Sequence, residues 1–585
     1  MKRCPQCNRL ESDEALKFCR VDGATLLSGS STLGSEGTAQ PGPDLSEVHT
    51  SILPHHTQAN AGRSTGPTTA LPPQAAPTTG TLAKPKSRKP IIIALIVAAL
   101  VVAVTAVGVN LYLSIRSGAA IDSIAVLPIE NRSNNPDAEY LCDGLAESLI
   151  YRLSQLPNLK VSPTSSVMRY KGKGGELNTI ANELGVRVVL TGKLVQRGDN
   201  LTISVELIDV TNRKVLWGEQ YDRKMAELLA TQREIAGTIT QKLELKLAGD
   251  EKGITKNYTD SNEAYQLYLK GRFFWNKRNA ENLRKAIEQF QAAAEKDPNF
   301  ALAFVGLADC HVLLPFYETE PSQDVLPKAK AYATRALEID PSLGEAHASL
   351  AYTNYMLWNF AEAEPGFKRA IELSPTYATA HKWYGNFLED SGRLEESLQK
   401  FKQAQELDPL SLIVTENLAE SYLFGGDLSS AYDQCSRLIE LDPNYAGIRR
   451  SLSLVYLKQG RQAEALAEAQ KGVELSNRLS PLLANLGFIY AQTGKRTEAT
   501  NVIRELESRY VTKQANGHHV AAVYTGLGGK DSAFEWLEKD FHNRTPTLAA
   551  WMTFTHFESI LDDPRMDNLR RRMGLPPIRL SAISK

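Results

Sequence analysis

A multidomain chain that ends in an all-α solenoid of stacked helix pairs is the fold class this sequence predicts. Three observations predict it. A 34-residue beat runs through the C-terminal half, an uncharged apolar stretch divides the chain near residue 100, and strand and helix patterns alternate between the two. The beat is marked by Asp340-Pro341, Ser374-Pro375, Asp408-Pro409 and Asp442-Pro443, with Ser476-Asn477 in the next place. Between Gly344 and Pro375, Leu350 and Ala351 mark a first helix that neighbours approach closely. Ala363, Phe367 and Ala370 form the i, i+4, i+7 stripe of a second. Proline closes the pair because it cannot continue a helix and restricts the residue before it.

A helix pair every 34 residues is the period of tetratricopeptide (TPR) repeats. Tyr384-Gly385, Gly392, Phe401 and Ala404 repeat the pattern, as do Leu418-Ala419, Gly426 and Ala431, then Gly460 and Ala465, then Gly494 and Ala499. The glycines fall at the turn inside each pair, where a left-handed residue is needed. One pair cannot bury its own apolar stripe, so the array folds as an array. Seven units and a degenerate eighth are predicted over residues 262–541. The step from Asp297 to Asp340 is 43 residues, so one unit carries extra residues, placed near Leu314 to Pro327. The tail, residues 542–585, holds Trp551, Phe554, Phe557, Ile560 and Leu561 and is expected to cap the exposed end.

Ile91 to Val109 is nineteen residues without a charge, enough to cross the hydrocarbon core as a helix, so residues 90–114 are predicted to be a transmembrane helix. Lys84, Lys86, Arg88 and Lys89 crowd one flank and Arg116 stands alone on the other. That asymmetry places the N-terminus in the cytoplasm and the later domains outside it. Residues 29–89, rich in Gly, Ser, Thr, Pro and Ala, read as a disordered tether. The net charge of −1 gives no general pull toward nucleic acid, which is not an expected partner; the lipid bilayer is one through the span. Cys142, Cys310 and Cys435 are scattered in predicted helices and read as buried free thiols.

The other three cysteines cluster in residues 1–28. Cys4 and Cys7 fit two corners of a zinc tetrahedron, Cys19 a third, and Asp22 stands where a fourth cysteine would complete the set. One structural Zn2+ is the expected cofactor, and the segment resembles the small zinc ribbons at the N-termini of many bacterial membrane and signalling proteins. A chain this short needs the metal for stability.

Residues 120–249 predict an α/β domain. Strands are expected at Ser123 to Ile129, Leu159 to Ser162, Val186 to Val195, Leu201 to Asp209 and Lys214 to Tyr221. Helices are expected at Asp137 to Leu156, Leu177 to Leu184 and Met225 to Leu247. The motifs Ile124-Ala-Val-Leu-Pro128, Asn131-Arg-Ser133, Asp143-Gly144-Leu145, Leu190-Thr-Gly192, Leu207-Ile-Asp209 and Tyr221-Asp222-Arg223 resemble the bacterial TolB amino-terminal-like (FlgO-like) family. The resemblance implies a domain between a membrane helix and TPR repeats in the bacterial inner membrane. It implies an extracytoplasmic interaction role and supplies no catalytic residues.

The remaining motifs point away from catalysis. Gly172-Lys173-Gly174-Gly175 lacks the phosphate-loop spacing, and His518-His519 point to different helix faces, which suits packing or solvation. No H-E-x-x-H or kinase catalytic loop occurs. Arg570-Arg571-Arg572 reads as a solvated helix face. First helices line the hollow of such an array, so Tyr352, Tyr355, Lys382, Asn386, Glu389, Glu416, Asn417, Glu420, Arg450 and Phe488 are the expected partner-binding groove. Lys382, Asn386 and Asn417 match three positions of the carboxylate clamp of chaperone-binding TPR proteins. Gly447 and Ser451 stand where that clamp has its further cations, and Glu416 and Glu420 would repel a carboxylate. A mixed polar and aromatic peptide groove is the better description. The expected function is a membrane-anchored scaffold that binds proteins or peptides without catalysis. The alternative is a transmembrane receptor whose α/β domain senses a ligand.

Overall fold

The computed structural model describes residues 121–578, apart from 134, 157–158, 174, 244–255, 257 and 318–321, together with three short strands near the N-terminus. The expected zinc ligands Cys4, Cys7, Cys19 and Asp22, the tether and the span 90–114 lie outside the described residues. Among the described residues no helix is long and apolar enough to cross a membrane. The chain forms two compact units, residues 1–96 and 97–585. In the first, strand β1 (Lys2–Arg3) lies antiparallel between β2 (Leu10–Glu11) and β3 (Leu27–Ser28).

The second unit opens with a mixed sheet. Its strands are β4 (Ser123–Val126), β5 (Glu130–Asn131), β6 (Lys160–Val161), β7 (Val188–Arg197), β8 (Asn200–Asp209) and β9 (Lys214–Lys224), in the order β6-β4-β7-β8-β9. β5 adds a short parallel pairing to β7. β4 runs parallel to both neighbours and is buried throughout, so it reads as an unbroken apolar run. β7, β8 and β9 form an antiparallel meander. Helix α1 (Glu139–Ser154) covers the sheet with Leu141, Leu145, Leu149 and Leu153, all fully buried. A short helix α2 (Thr164–Val167) and a 3-10 turn (Met168–Tyr170) follow β6. Neither was predicted, because Pro163 to Tyr170 carries no apolar period. Helix α3 (Leu177–Leu184) stops at Gly185, whose φ of +62° is left-handed. Helix α4 (Leu228–Lys242) completes the domain.

Eight antiparallel helix pairs follow among the described residues. They are α5 (Asn262–Trp275) with α6 (Ala280–Lys296), α7 (Ala301–Leu313) with α8 (Ser322–Ile339), α9 (Gly344–Met356) with α10 (Phe360–Leu373), and α11 (Ala378–Asp390) with α12 (Leu394–Leu407). Next come α13 (Leu412–Phe424) with α14 (Leu428–Leu441), α15 (Gly447–Lys458) with α16 (Gln462–Leu475), α17 (Ser480–Gln492) with α18 (Arg496–Val511), and α19 (Gly517–Gly526) with α20 (Lys530–His542). The extra residues of the second pair make a 3-10 turn at Leu314–Tyr317 and a longer α8. Pro327 therefore sits inside α8 rather than in a loop. Phe290 of α6 shows the packing rule. Its ring fits between Gly271 and Gly306, where a methyl group would come within 2.5 and 2.7 Å of the ring.

The beat also survives in the backbone. Gly392, Gly426, Gly460, Gly494 and Gly528, each 34 residues from the next, turn inside their pairs at φ between +75° and +81°. The same place in the preceding pair holds Trp358 at φ +64°, an uncommon conformation for a bulky residue. Trp358 faces the far end of the array. Its ring stacks on Phe541 of α20, with centroids 5.7 Å apart, beneath Arg544. Gly574 lies against Phe360, and Ile578 against Gly392. The third and fourth pairs thus touch the C-terminal end, and the solenoid closes a full turn on itself.

The C-terminal segment makes that closure. It comprises α21 (Leu548–Trp551), a 3-10 turn (Thr555–Ile560) and α22 (Pro564–Met573). Arg570 is fully buried and donates Nη2 to the Asp390 carbonyl at 2.6 Å and Nε to the Pro576 carbonyl at 2.8 Å. The solvated-face reading fails for Arg570, because α22 packs edge-on into the seam. Arg571 and Arg572 are exposed. Cys142, Cys310 and Cys435 are free and buried.

Candidate functional site: a cavity between the α/β domain and the solenoid

The acids of the 34-residue beat have a second role. Five successive turns between pairs receive a contact from the α/β domain or the chain that leads out of it. Thr259 Oγ1 donates to Asp297 at 2.6 Å, Lys256 Nζ to Asp340 at 2.5 Å, and Thr376 Oγ1 to the Ser154 carbonyl at 3.0 Å. Ser165 and Ser166 each donate to Asp408 at 2.5 Å, and Arg169 Nη2 to the Leu441 carbonyl at 2.5 Å. The unpredicted α2 supplies two of these donors. Burial raises the Asp408 carboxyl above its ordinary range against the pull of its serine donors.

Above this rim, α1 meets α5. Arg272 Nε donates to Glu147 Oε1 at 2.6 Å, Asn276 Nδ2 to Glu147 Oε2 at 2.8 Å, and the Tyr265 hydroxyl to Ser148 Oγ at 2.7 Å. The Tyr151 hydroxyl and Gln155 Nε2 reach Glu345 of α9 at 3.5 and 3.4 Å. The α/β domain therefore lies along one rim of the solenoid and walls its hollow.

The hollow is a cavity of about 990 Å³, of a size that holds a drug-sized molecule or a short peptide. Nine of the ten expected groove residues line it: Tyr352, Tyr355, Lys382, Asn386, Glu389, Glu416, Asn417, Glu420 and Arg450. Phe488 does not. The C-terminal segment covers it, with the His556 ring edge-on at 4.8 Å. Sequence reasoning missed the wall opposite, where Gly144, Glu147, Tyr151 and Arg169 come from the α/β domain and Trp551 and Phe554 from the tail. A repeat period says which side of a helix faces inward, not what covers it.

The lining is aromatic and charged. Tyr352 and Trp383 stack with centroids 4.4 Å apart and planes 11° apart. Burial, with Arg278 acting the same way, pushes the Lys382 amine down to about 7, while Glu416 opposes. Burial and the neighbouring Glu420 push the Glu416 carboxyl up to about 7 against Arg450. Burial pushes Asp390 up to about 7 although the Tyr355 hydroxyl donates to it. Burial also raises Glu389 well above the carboxylate range. Arg450 pairs with Glu420. Glu420 is thus neutralised, and the repulsion expected of it toward an acidic ligand is largely cancelled. Among the described residues no cluster of three or more His, Cys, Asp or Glu side chains could hold a metal ion. His518 and His519 are buried packing residues beside Trp551.

Comparison with known proteins agrees with the two-part architecture. Residues 272–318, 357–411 and 417–479 match the tetratricopeptide repeat family. Residues 120–238 match the second domain of HilA/YgeH-like transcriptional regulators. The chain is similar to "Putative adenylate cyclase 3" of Rhizobium meliloti (strain 1021), 33% identical over 245 residues, 41% of this chain and 42% of that protein. It is also similar to the transcriptional regulator HilA of Salmonella typhimurium, 25% identical over 238 residues, 40% of this chain and 41% of that protein. The chain spans about two fifths of the length of these relatives. Among solved structures, pilF of Pseudomonas aeruginosa is 22% identical, with 35% of this chain and 92% of that chain covered and a TM-score of 0.29. The type IV pilus biogenesis factor PilW is 20% identical, with 35% and 93% covered and a TM-score of 0.30.

Proposed function

We propose that the α/β domain and the TPR array form one binding module that captures a segment of a partner protein in the shared cavity, without catalysis of its own. The carrying observation is that nine residues expected to grip a peptide line one cavity with aromatic plates and desolvated polar groups. In this reading residues 90–114 anchor the module in a bacterial inner membrane. The module then lies outside the cytoplasm as the TolB amino-terminal-like resemblance implies, and nucleic acid is not a partner. A photo-cross-linking residue at Asn386 or Asn417 captures polypeptide in cells, and the same residue at Lys368, 62% exposed on the outer face, does not. Absence of polypeptide capture at both inner positions rules the reading out.

A second reading, a ligand-sensing regulator, is favoured by one observation. The cavity wall comes from both domains, so an occupant can bias their relative position. The relatives support it, since their names attach transcriptional regulation and adenylate cyclase to chains that each share about 240 residues with this one. A module that binds serves such different outputs better than one that reacts. Native mass spectrometry of the purified chain distinguishes the readings by the mass of what is bound.

On the N-terminal side, Cys4, Cys7 and Cys19, with Asp22, would hold one structural zinc. The full chain is expected to carry about one zinc and to lose it when Cys4 and Cys7 become serine. Unchanged metal content defeats that assignment.

A further inference from the structure

Residues Trp551 to Glu558 cross the solenoid's inner face where a captured peptide would run. Trp551 packs on His518 and His519 of α19, with ring centroids 4.8 and 4.9 Å away. Phe554 lies 4.6 Å from the Arg450 guanidinium of α15. His556 meets Phe488 of α17 and places Nε2 3.1 Å from Asn485 Oδ1. Glu558 accepts from Lys458 Nζ at 2.6 Å. Thr553, Phe554 and Thr555 face Glu389 of α11 and Glu420 and Phe424 of α13 across a void of about 20 Å³. Eight residues thus touch the first helices of five consecutive pairs.

The two sides of this segment differ in quality. Its outer side is anchored by Leu548, Met552, Phe557, Ile560 and Leu561, all fully buried. Its groove side is flawed. His556 Nδ1 and His518 Nε2 are buried without a hydrogen-bond partner. Phe554 is only half-buried. An unpaired buried polar atom is costly, and native structures keep few of them. A segment that paired His518 Nε2 and left no buried polar atom of its own unpaired would outcompete the resident one.

We infer that Trp551 to Glu558 is a resident intramolecular occupant of the groove. A partner segment that presents two aromatic side chains three residues apart, then a hydrogen-bonding side chain two further on, displaces it. The inference rests on the peptide-binding reading and names the partner chemistry. Two measurements test it. In the intact wild-type chain, amides of Trp551 to Glu558 exchange with solvent hydrogen faster than those of α22. A labelled peptide of residues 546–561 binds the Trp551→Ala/Phe554→Ala chain about tenfold more tightly than wild type, because the resident no longer competes. Exchange as slow as that of α22 overturns the inference, even if the variant does not fold. Equal peptide affinity for the two chains, or none for either, overturns it too. Cross-linking at Asn386 and Asn417 reads the broader peptide-binding claim separately.

Discussion

Arg272→Met is expected to destabilise the unit of residues 97–585 by about 3–5 kcal/mol, the usual cost of stranding one partner of a buried ion pair. Glu147 is 8% exposed in the junction between α1 and α5. Its carboxylate takes the Arg272 Nε at 2.6 Å and the Asn276 amide at 2.8 Å. The guanidinium also lies 4.1 Å from the Trp275 ring, so the variant loses a cation–π contact together with the charge. With the arginine gone, a buried carboxylate stays in the cavity wall with one neutral donor. Urea denaturation followed by far-UV circular dichroism checks the value. The double variant Glu147→Gln/Arg272→Met is expected to recover most of the loss, because neither side then buries an unpaired charge. A loss below about 1 kcal/mol would show that the junction is solvated and that the two domains are not locked by it.

This junction marks the limit of what the sequence reveals. The solenoid was legible because its cause is periodic. Each pair hides the same stripe, so prolines, small residues and turn glycines recur every 34 positions. Even Trp358 stands out in the sequence as a break in the glycine series, though only the closed turn explains it. The strands and α3 were legible from apolar runs and from Gly185. The wall of the cavity was not. Asp408 reads as a helix-ending residue before proline, and nothing local says that Ser165 and Ser166 will bond it. Glu147 and Arg272 each look like solvated charges on amphipathic helices. Their pairing depends on how two domains dock, which leaves no period. Phe488 was assigned to the groove for the same reason, since its helix face was right and its cover was invisible. His518 and His519 do not point apart as the sequence suggested: their rings lie 4.4 Å from each other and both pack on Trp551, because the tail returns over them.

Acid is expected to loosen that returning tail. Burial lowers the His556 imidazole to about 3, and Arg450 acts in the same direction. Burial and then His518, Arg450 and His556 hold His519 well below its ordinary value. In both cases the unfolded chain binds the proton more tightly than the folded one. Stability is therefore complete above about pH 6.5 and falls as pH drops toward the folded value. For His556 the loss between pH 6.5 and 5 is about 2 kcal/mol. The surrounding charges give no relief, since Arg450 is held by Glu420, Asp540 is taken by His518, and Glu558 by Lys458. Asp390 and Glu416 work the other way. Burial raises both carboxyls to about 7, so they favour the folded state as pH falls and flatten the global curve. The difference between chains isolates the histidine. Wild type is expected to lose about 2 kcal/mol more than His556→Phe between pH 6.5 and 5, with hydrogen exchange rising first at Trp551 to Glu558. Identical pH profiles for the two chains would mean that His556 reaches solvent and that the tail is not held by a neutral imidazole.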